Sequence, residues 1–297
     1  MANAVRASNS LWREKASEFA ADRMAMFGLV LFVLIVLAAL GAPWLSPQNP
    51  YDLSQLDVLD ARLPPGSPAA DGGHYLLGSD EQGRDLLSAI LYGLRISLGV
   101  GVVSTLIAVT LGLLVGLLAA YKGGRWDSVI MRVVDIQLSF PAILIALILL
   151  AVLGQGIGKI IVALVTVQWA YYARTVRGAA LAEKNKDYIA AAQGLGLSAG
   201  RIVLRHLLPN CLPPLIVVAS VQVAHAIALE ATLSFLGLGL PITEPSLGLL
   251  IANGYQYLLS GKYWVSFFPG VALLLTIVSI NLVADQLRDV LNPRLAK

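Results

Sequence analysis

The stretch Ile96–Tyr121, ISLGVGVVSTLIAVTLGLLVGLLAAY, decides the fold: 26 residues without one Asp, Glu, Lys or Arg. A bilayer core about 30 Å thick takes roughly 20 apolar residues in a helix, so this run is long enough to cross. Working outward, five more candidate spans appear. One opens Met24–Tyr51 and ends in the Gly41–Pro43 and Ser46–Pro47 breakers. The others are Ile136–Gly158, with Pro141 near its start, Ile160–Ala173, Leu207–Leu229 and Tyr263–Ala284. Ile160–Ala173 is short and crosses only if the flanking Lys159 and Arg174 snorkel toward their interfaces. Composition agrees: 57% of the 297 residues are hydrophobic, 13% are charged, and the mean hydropathy is +0.75. A soluble domain carries about 25% charged residues. These values exclude a disordered chain, a coiled coil and a nucleic-acid binder working through a basic surface.

Six spans put both termini on one side. With that side inside, sixteen of the 21 Lys and Arg residues lie inside, and only Arg62, Arg84, Arg95, Lys159 and Lys262 lie outside. The positive-inside rule therefore predicts cytoplasmic termini. The first span is too long and lacks the cleavage site of a signal peptide, so it is expected to stay as an anchor. The organisation expected is a cytoplasmic lead over 1–23, a first transmembrane helix over 24–45 and an extracytoplasmic insert over 46–95. A core of five spans follows over 96–284, with a cytoplasmic hairpin at 174–210 and a cytoplasmic tail over 285–297.

The insert holds Asp52, Asp57, Asp60, Asp71, Asp80, Glu81 and Asp85 against Arg62, Arg84 and Arg95. Residues 52–73 read equally well as a solvated loop. From Leu86 the spacing Leu86, Leu87, Ile90, Leu91, Leu94 predicts an amphipathic helix at the outer interface. In the hairpin, Lys186–Gln193 favours a helix, Gly196 suits a left-handed cap, and Ser198 can cap a second helix. Pro209, Pro213 and Pro214 bend the start of the fifth span. The outer loop 238–262 is expected to contain a re-entrant or interfacial turn around Ser246–Tyr257.

No catalytic constellation survives inspection. His74, His206 and His225 fall in three regions, and the single Cys211 reads as a small apolar filler. Gly154–Lys159 (GQGIGK) misses the phosphate-loop spacing, because Leu153 stands where the first Gly belongs and Ile160 where Ser or Thr belongs. It reads as a flexible outer turn. Gln222 and His225 share a helix face, while Glu230 points elsewhere near the outer end. Gln168, Thr276 and Asn281 are further polar candidates within the spans. Two readings stand for these groups: a polar translocation path, or interhelical hydrogen bonds. Gly112 and Gly116 form a GxxxG pair that favours close packing, within the chain or across a subunit interface.

Tyr188–Asn210, YIAAAQGLGLSAGRIVLRHLLPN, resembles the EAA loop in membrane subunits of bacterial binding-protein-dependent ABC importers. That pattern, E-A-A, three residues, Gly, nine residues, I-x-L-P, lands on Ala190, Ala191, Ala192, Gly196, His206, Leu208 and Pro209. Ala190 replaces the family's Glu and His206 its Ile. Three ordered segments strengthen the resemblance. They are LGSDEQGRD at Leu77–Asp85 followed by YGLRISL, EATLSFLGLG at Glu230–Gly239, and FFPG at Phe267–Gly270 followed by NLVADQLRDVLNP at Asn281–Pro293. Together with RHLLPN at Arg205–Asn210 they are similar to the C-type permeases of dipeptide, oligopeptide and nickel importers.

The resemblance implies an all-α integral membrane protein with six transmembrane helices and the type I ABC importer permease fold. It implies no enzyme activity in this chain, with ATP and Mg bound by partner subunits. The partners would be a homologous second permease, two ABC ATPases and an extracytoplasmic solute-binding protein, with no nucleic acid. Tyr188, Ala190, Ala191, Ala192, Gly196, Arg201, Arg205, His206, Leu208 and Pro209 would couple to an ATPase. Gly78, Asp80, Gly83, Arg84 and Asp85 would dock the binding protein, and Gln222, His225 and Glu230 would line the path. Peptides are the expected cargo; nickel chelates, glutathione-like molecules and opine or sugar conjugates are the alternatives within the family. A stand-alone secondary transporter or channel is the rival class, and a purely structural scaffold a third.

Overall fold

The computed structural model describes residues 13–52, 56–69 and 72–291. Asp71, the lead up to residue 12 and the tail from residue 292 lie outside the described residues. Residues 13–21 are helical. Asp22 then caps α1 (Arg23–Leu40) by accepting the Ala25 amide at 2.8 Å. A single turn, α2 (Ala42–Leu45), follows with Pro43 in its first positions, where the missing amide costs nothing. The insert carries one small hairpin, β1 (Ser67–Pro68) antiparallel to β2 (His74–Tyr75).

The run that opened the argument lies in α3 (Leu86–Lys122), a helix of 37 residues. At 1.5 Å per residue it is about 55 Å long, far more than a bilayer core needs. The helical spacing expected from Leu86 is met, but no separate interfacial helix exists. Leu86, Ile90 and Leu94 are buried against Leu247, Trp264 and Val265, so this end packs on other helices. The expected Ile136–Gly158 span also changes. α4 (Gly124–Ser139) and α5 (Ala142–Leu153) meet at 90°. Pro141 disfavours a helical Phe140, which is extended at φ −94°, ψ 143°. α5 alone has 12 residues, about 18 Å, less than a bilayer core needs.

α6 (Ile157–Lys184) is longer than the 160–173 expectation. Arg174 pairs with Asp135 of α4, and Arg177 grips Asp127 with two bonds of 2.6 and 3.0 Å. Counter-charges from α4 therefore let the helix carry its arginines. α7 (Asp187–Gly194) and α8 (Ala199–Ile202) form the hairpin, and a π-helical turn over Val203–Leu207 leads into α9 (Leu208–Phe235). α9 runs through Pro213 and Pro214 without a break. α10 (Leu247–Tyr255), capped by Ser246, fills the outer loop where a turn was expected, and α11 (Trp264–Leu291) closes the described chain.

Among the described residues four helical runs are long and apolar enough to cross a membrane: α1, α3, the run 199–235 and α11. The count rises to five if the bent pair α4–α5 is one span. α6, not apolar enough to be among them, packs along α3 as the next long helix of the bundle. The GxxxG pair explains how closely. A Cβ on Gly112 would lie 2.4 Å from Tyr172 Cβ, and one on Gly116 2.6 Å from the Ala173 carbonyl. The motif is thus used inside the chain, for α3 against α6. At the outer end, the Gly154–Gly156 turn is fastened rather than free: Gln155 Nε2 donates to the Gly237 carbonyl at 2.7 Å, and the Gly156 amide to Gly239 at 3.1 Å.

Candidate functional site

The hairpin 187–207 is a finger whose root is fixed and whose tip is bare. α7 ends as the glycines dictate. The Gly196 amide donates to Gln193 and the Leu197 amide to Ala192, closing a Schellman cap with Gly196 at φ +71°. Ser198 takes the N-cap position of α8 with extended backbone, but its hydroxyl makes no capping bond. Ile189, Ile202 and Leu207 are fully or almost fully buried with Leu117 of α3 and Val176 of α6. The opposite face is open: Ala190, Ala191, Gly196, Arg201 and Arg205 are exposed, as are Leu195 at 81% and Leu204 at 63%. Apolar side chains left bare beside small residues and two arginines form a surface suited to a protein partner.

The root is a polar knot that the sequence did not reveal. Glu183, in the last turn of α6, is 8% exposed. It accepts the Tyr188 hydroxyl and pairs with Lys186 at 2.7 Å. Asn210 Nδ2 donates to the His206 carbonyl at 2.7 Å and to the Tyr188 oxygen at 3.3 Å. The His206 ring stands 6.1 Å from that of Tyr188. Lys184 Nζ caps α3 by donating to the carbonyls of Ala120 and Tyr121 at 3.0 and 2.9 Å. Burial pushes Glu183 up, but the hydrogen bonds and charge of Lys186 and Tyr188 outweigh it and hold the carboxyl below its ordinary range. Burial and the Glu183 carboxylate raise the Tyr188 phenol to about 12. One acidic side chain thus ties α6, α7 and the start of α9 together. Leu208 is half-buried and Pro209 exposed in the same region. A signal for this knot was available in Glu183, the one carboxylate between Asp135 and Asp187, but spacing alone does not name its partners.

The polar groups of the spans do not converge. Gln222 is buried and His225 is exposed, so the face they share as helix neighbours divides between packing and surface. Glu230 is fully buried and accepts Ser97 and Ser234 hydroxyls, each at 2.8 Å. It fastens α9 to α3. Gln168 accepts from Thr105 at 3.3 Å, across α3 and α6, and from Tyr172 at 3.2 Å within α6.

The five residues expected to dock a binding protein are all buried within this chain. Asp80 and Arg84 form a salt bridge of 2.6 Å, with side chains 3% and 1% exposed. Asp85 caps α3 by accepting the Ser88 amide at 2.8 Å. Gly78 and Gly83 have φ of +85° and +79°, and a Cβ on either would strike a carbonyl of Leu63 or Asp57. They are the frame of the insert, and they hold residues 57–63 in place: the Arg62 amide donates to Asp80, and the Leu63 amide to Ser79 Oγ. Residues 57–63 are thus held by hydrogen bonds while remaining part-exposed, with Val58 and Leu59 exposed.

Over residues 108–297 the chain matches the family described as binding-protein-dependent transport system inner membrane component. Over residues 10–65 it matches the N-terminal TM domain of oligopeptide transport permease C. A putative peptide transport system permease protein of Brucella suis biovar 1 is 41% identical, covering 92% of this chain and 88% of the relative. The di/tripeptide transport system permease protein DppC of Pseudomonas aeruginosa is 38% identical over 95% and 92%. The oligopeptide transport system permease protein OppC of Bacillus subtilis is 36% identical over 98% and 92%. A solved structure titled as inward-facing conformations of the MetNI methionine ABC transporter shares the fold. Its TM-score is 0.57 at 23% identity, over 69% of this chain and 96% of that one. The chain belongs to the family of inner-membrane components of binding-protein-dependent transport systems.

Proposed function

We propose that this chain is one permease subunit of an ATP-driven importer of di- or oligopeptides, with its termini in the cytoplasm of a bacterial inner membrane. A homologous second permease would complete the path, an extracytoplasmic binding protein would deliver solute, and two ATPases would bind ATP and Mg. The observation that carries the reading is the finger 187–207, bare at its tip and bound at its root to two long helices. A short rigid element of this kind converts rigid-body movement of a docked ATPase into a shift of packed helices. The names of the peptide-permease relatives support the cargo class. The polar insert, braced on α3, is the candidate landing for the binding protein, through residues that its buried frame positions.

The test separates coupling from capture. Gly196→Val meets no atom within 4 Å but forces a β-branched residue to φ +71°, a strain of about 1–2 kcal/mol. Ala191→Arg places a bulky cation on the exposed tip. Both variants are expected to abolish peptide uptake by the assembled complex while the binding protein still captures peptide. Normal uptake by both would refute the coupling role.

A further inference from the structure

A cavity of about 270 Å³ lies where α9, α10 and α11 meet. Ala231 of α9 and Gly248 of α10 line it, are buried and touch: a Cβ on Gly248 would strike the Ala231 carbonyl. Ile251 of α10 and Leu273 and Ile277 of α11 are part-buried in the lining, while Thr232 and Phe235 of α9 are exposed. The space therefore opens to the surface of the chain beside Thr232 and Phe235, and the Phe235 ring stands edge-on to Tyr255 at 6.1 Å between centres. The lining carries no charge, and its one hydroxyl, Thr232 Oγ1, already donates to the Ala228 carbonyl at 2.8 Å. What fits is an apolar group. Pockets for drug-sized ligands run about 300–1,000 Å³, so this one holds a side chain rather than a whole peptide.

His225 tells what this face of α9 looks onto. It lies seven residues before Thr232, about two turns or 10.5 Å along the same face, and it is exposed within a run long and apolar enough to cross a membrane. An ionisable side chain inside a membrane faces water or protein rather than lipid. We propose that the cavity is a subsite on the translocation path that seats one apolar side chain, of leucine or phenylalanine size, of a peptide in transit. The proposal rests on the reading of the chain as a peptide permease. It goes beyond that reading by assigning one wall of the path, α9 from His225 to Phe235, and the part of the solute held there. An uncharged lining reads a side chain and not the charged ends of the peptide, so the subsite serves short and longer peptides alike.

The complex containing the full chain is placed in proteoliposomes with its binding protein saturated with Ala-photoleucine-Ala, whose diazirine marks what that side chain touches on illumination. During ATP-driven import the label is expected on residues 228–235, 248–251 or 273–277, read by mass spectrometry of digests. Import without label at those positions overturns the subsite and leaves the permease reading intact. A cavity filled by an acyl chain or by the second permease gives that same unlabelled result. A complex that imports no peptide at all refutes both. Ala228→Leu, which extends a lining residue into the space, is expected to lower the ratio of Ala-Leu-Ala to Gly-Gly-Gly import about tenfold, with each peptide saturating the binding protein. An unchanged ratio, including one in which both imports fall together through a folding defect, overturns the proposal.

Discussion

Glu183→Gln is the perturbation that probes the finger most directly. Glutamine keeps the shape and one acceptor oxygen for Tyr188 but removes the charge. A hydrogen bond to a charged group contributes about 1.5–3 kcal/mol and one between neutral groups about 0.5–1.5, so the Tyr188 contact weakens by about 1 kcal/mol. The Lys186 side chain is 57% exposed, and a solvated pair of this kind adds at most about 1 kcal/mol. The finger's attachment to α6 therefore loses about 1–2 kcal/mol, roughly a five- to thirtyfold shift toward a finger detached from its root. The assay is peptide imported per ATP hydrolysed by the purified complex in proteoliposomes, with peptide capture by the binding protein measured separately. The ratio is expected to fall several-fold with capture and assembly unchanged. Tyr188→Phe should do the same, and the double variant should be little worse than either, because both remove one network. An unchanged ratio in Glu183→Gln, or fully additive losses in the double variant, would refute the reasoning.

Three further outcomes are expected. Tyr188 has its phenol raised from 10.0 to about 12, so its contribution is present below pH 10 and is lost as pH rises through about 12. Hydrogen exchange across 187–207 should accelerate in that window in the wild type and show no such step in Tyr188→Phe. Gly112→Val drives its side chain into Tyr172 and the Trp169 carbonyl; a drop of about 1–3 kcal/mol is expected in unfolding of the detergent-solubilised chain. Asp80→Asn leaves Arg84, 1% exposed, without its counter-charge and should cost about 3–5 kcal/mol. Replacing both, Asp80→Leu with Arg84→Met, should recover most of that loss in the same measurement.

Apolar runs made the membrane class and most of the helices legible, because hydrophobic length is a local property that a sequence carries in full. What failed was direction. A charge-free window over 136–158 cannot register that the chain turns through 90° at Phe140–Pro141, since the turn comes from the steric demand of one proline and removes no hydrophobicity. The helix that carries the fourth expected span continues past Arg174 to Lys184, because Arg174 pairs with Asp135, 39 residues away on another helix. Glycines were read best where their role is conformational. Gly196 was assigned to a left-handed cap and has φ +71°. The segment at 77–85 resembles a family signature, but its spacing does not tell which of its residues bond inside the chain, Asp80 with Arg84 and Gly83 against Asp57. The Glu183 knot was missed because its members come from three elements whose approach only the fold supplies.

The arrangement of these contacts bears on how a push at the finger would travel. Lys184 holds the end of α3 and Glu183 holds α7, so two adjacent residues of α6 bind the finger and the longest helix together. Further along, the close Gly112 and Gly116 contacts and the Thr105–Gln168 bond keep α3 and α6 in fixed register. Near the outer end Glu230 ties α9 to α3 through Ser97. A displacement delivered at residues 187–207 therefore cannot be absorbed by sliding α6 alone, because closely packed helices have little compliance. It has to move α3, α6 and α9 as one body, and the bent pair α4–α5 is fastened to that body along its length, by the Asp127–Arg177 and Asp135–Arg174 pairs on α4 and by Ala146 and Leu150 of α5 packed with Ile160, Ala163 and Leu164 of α6.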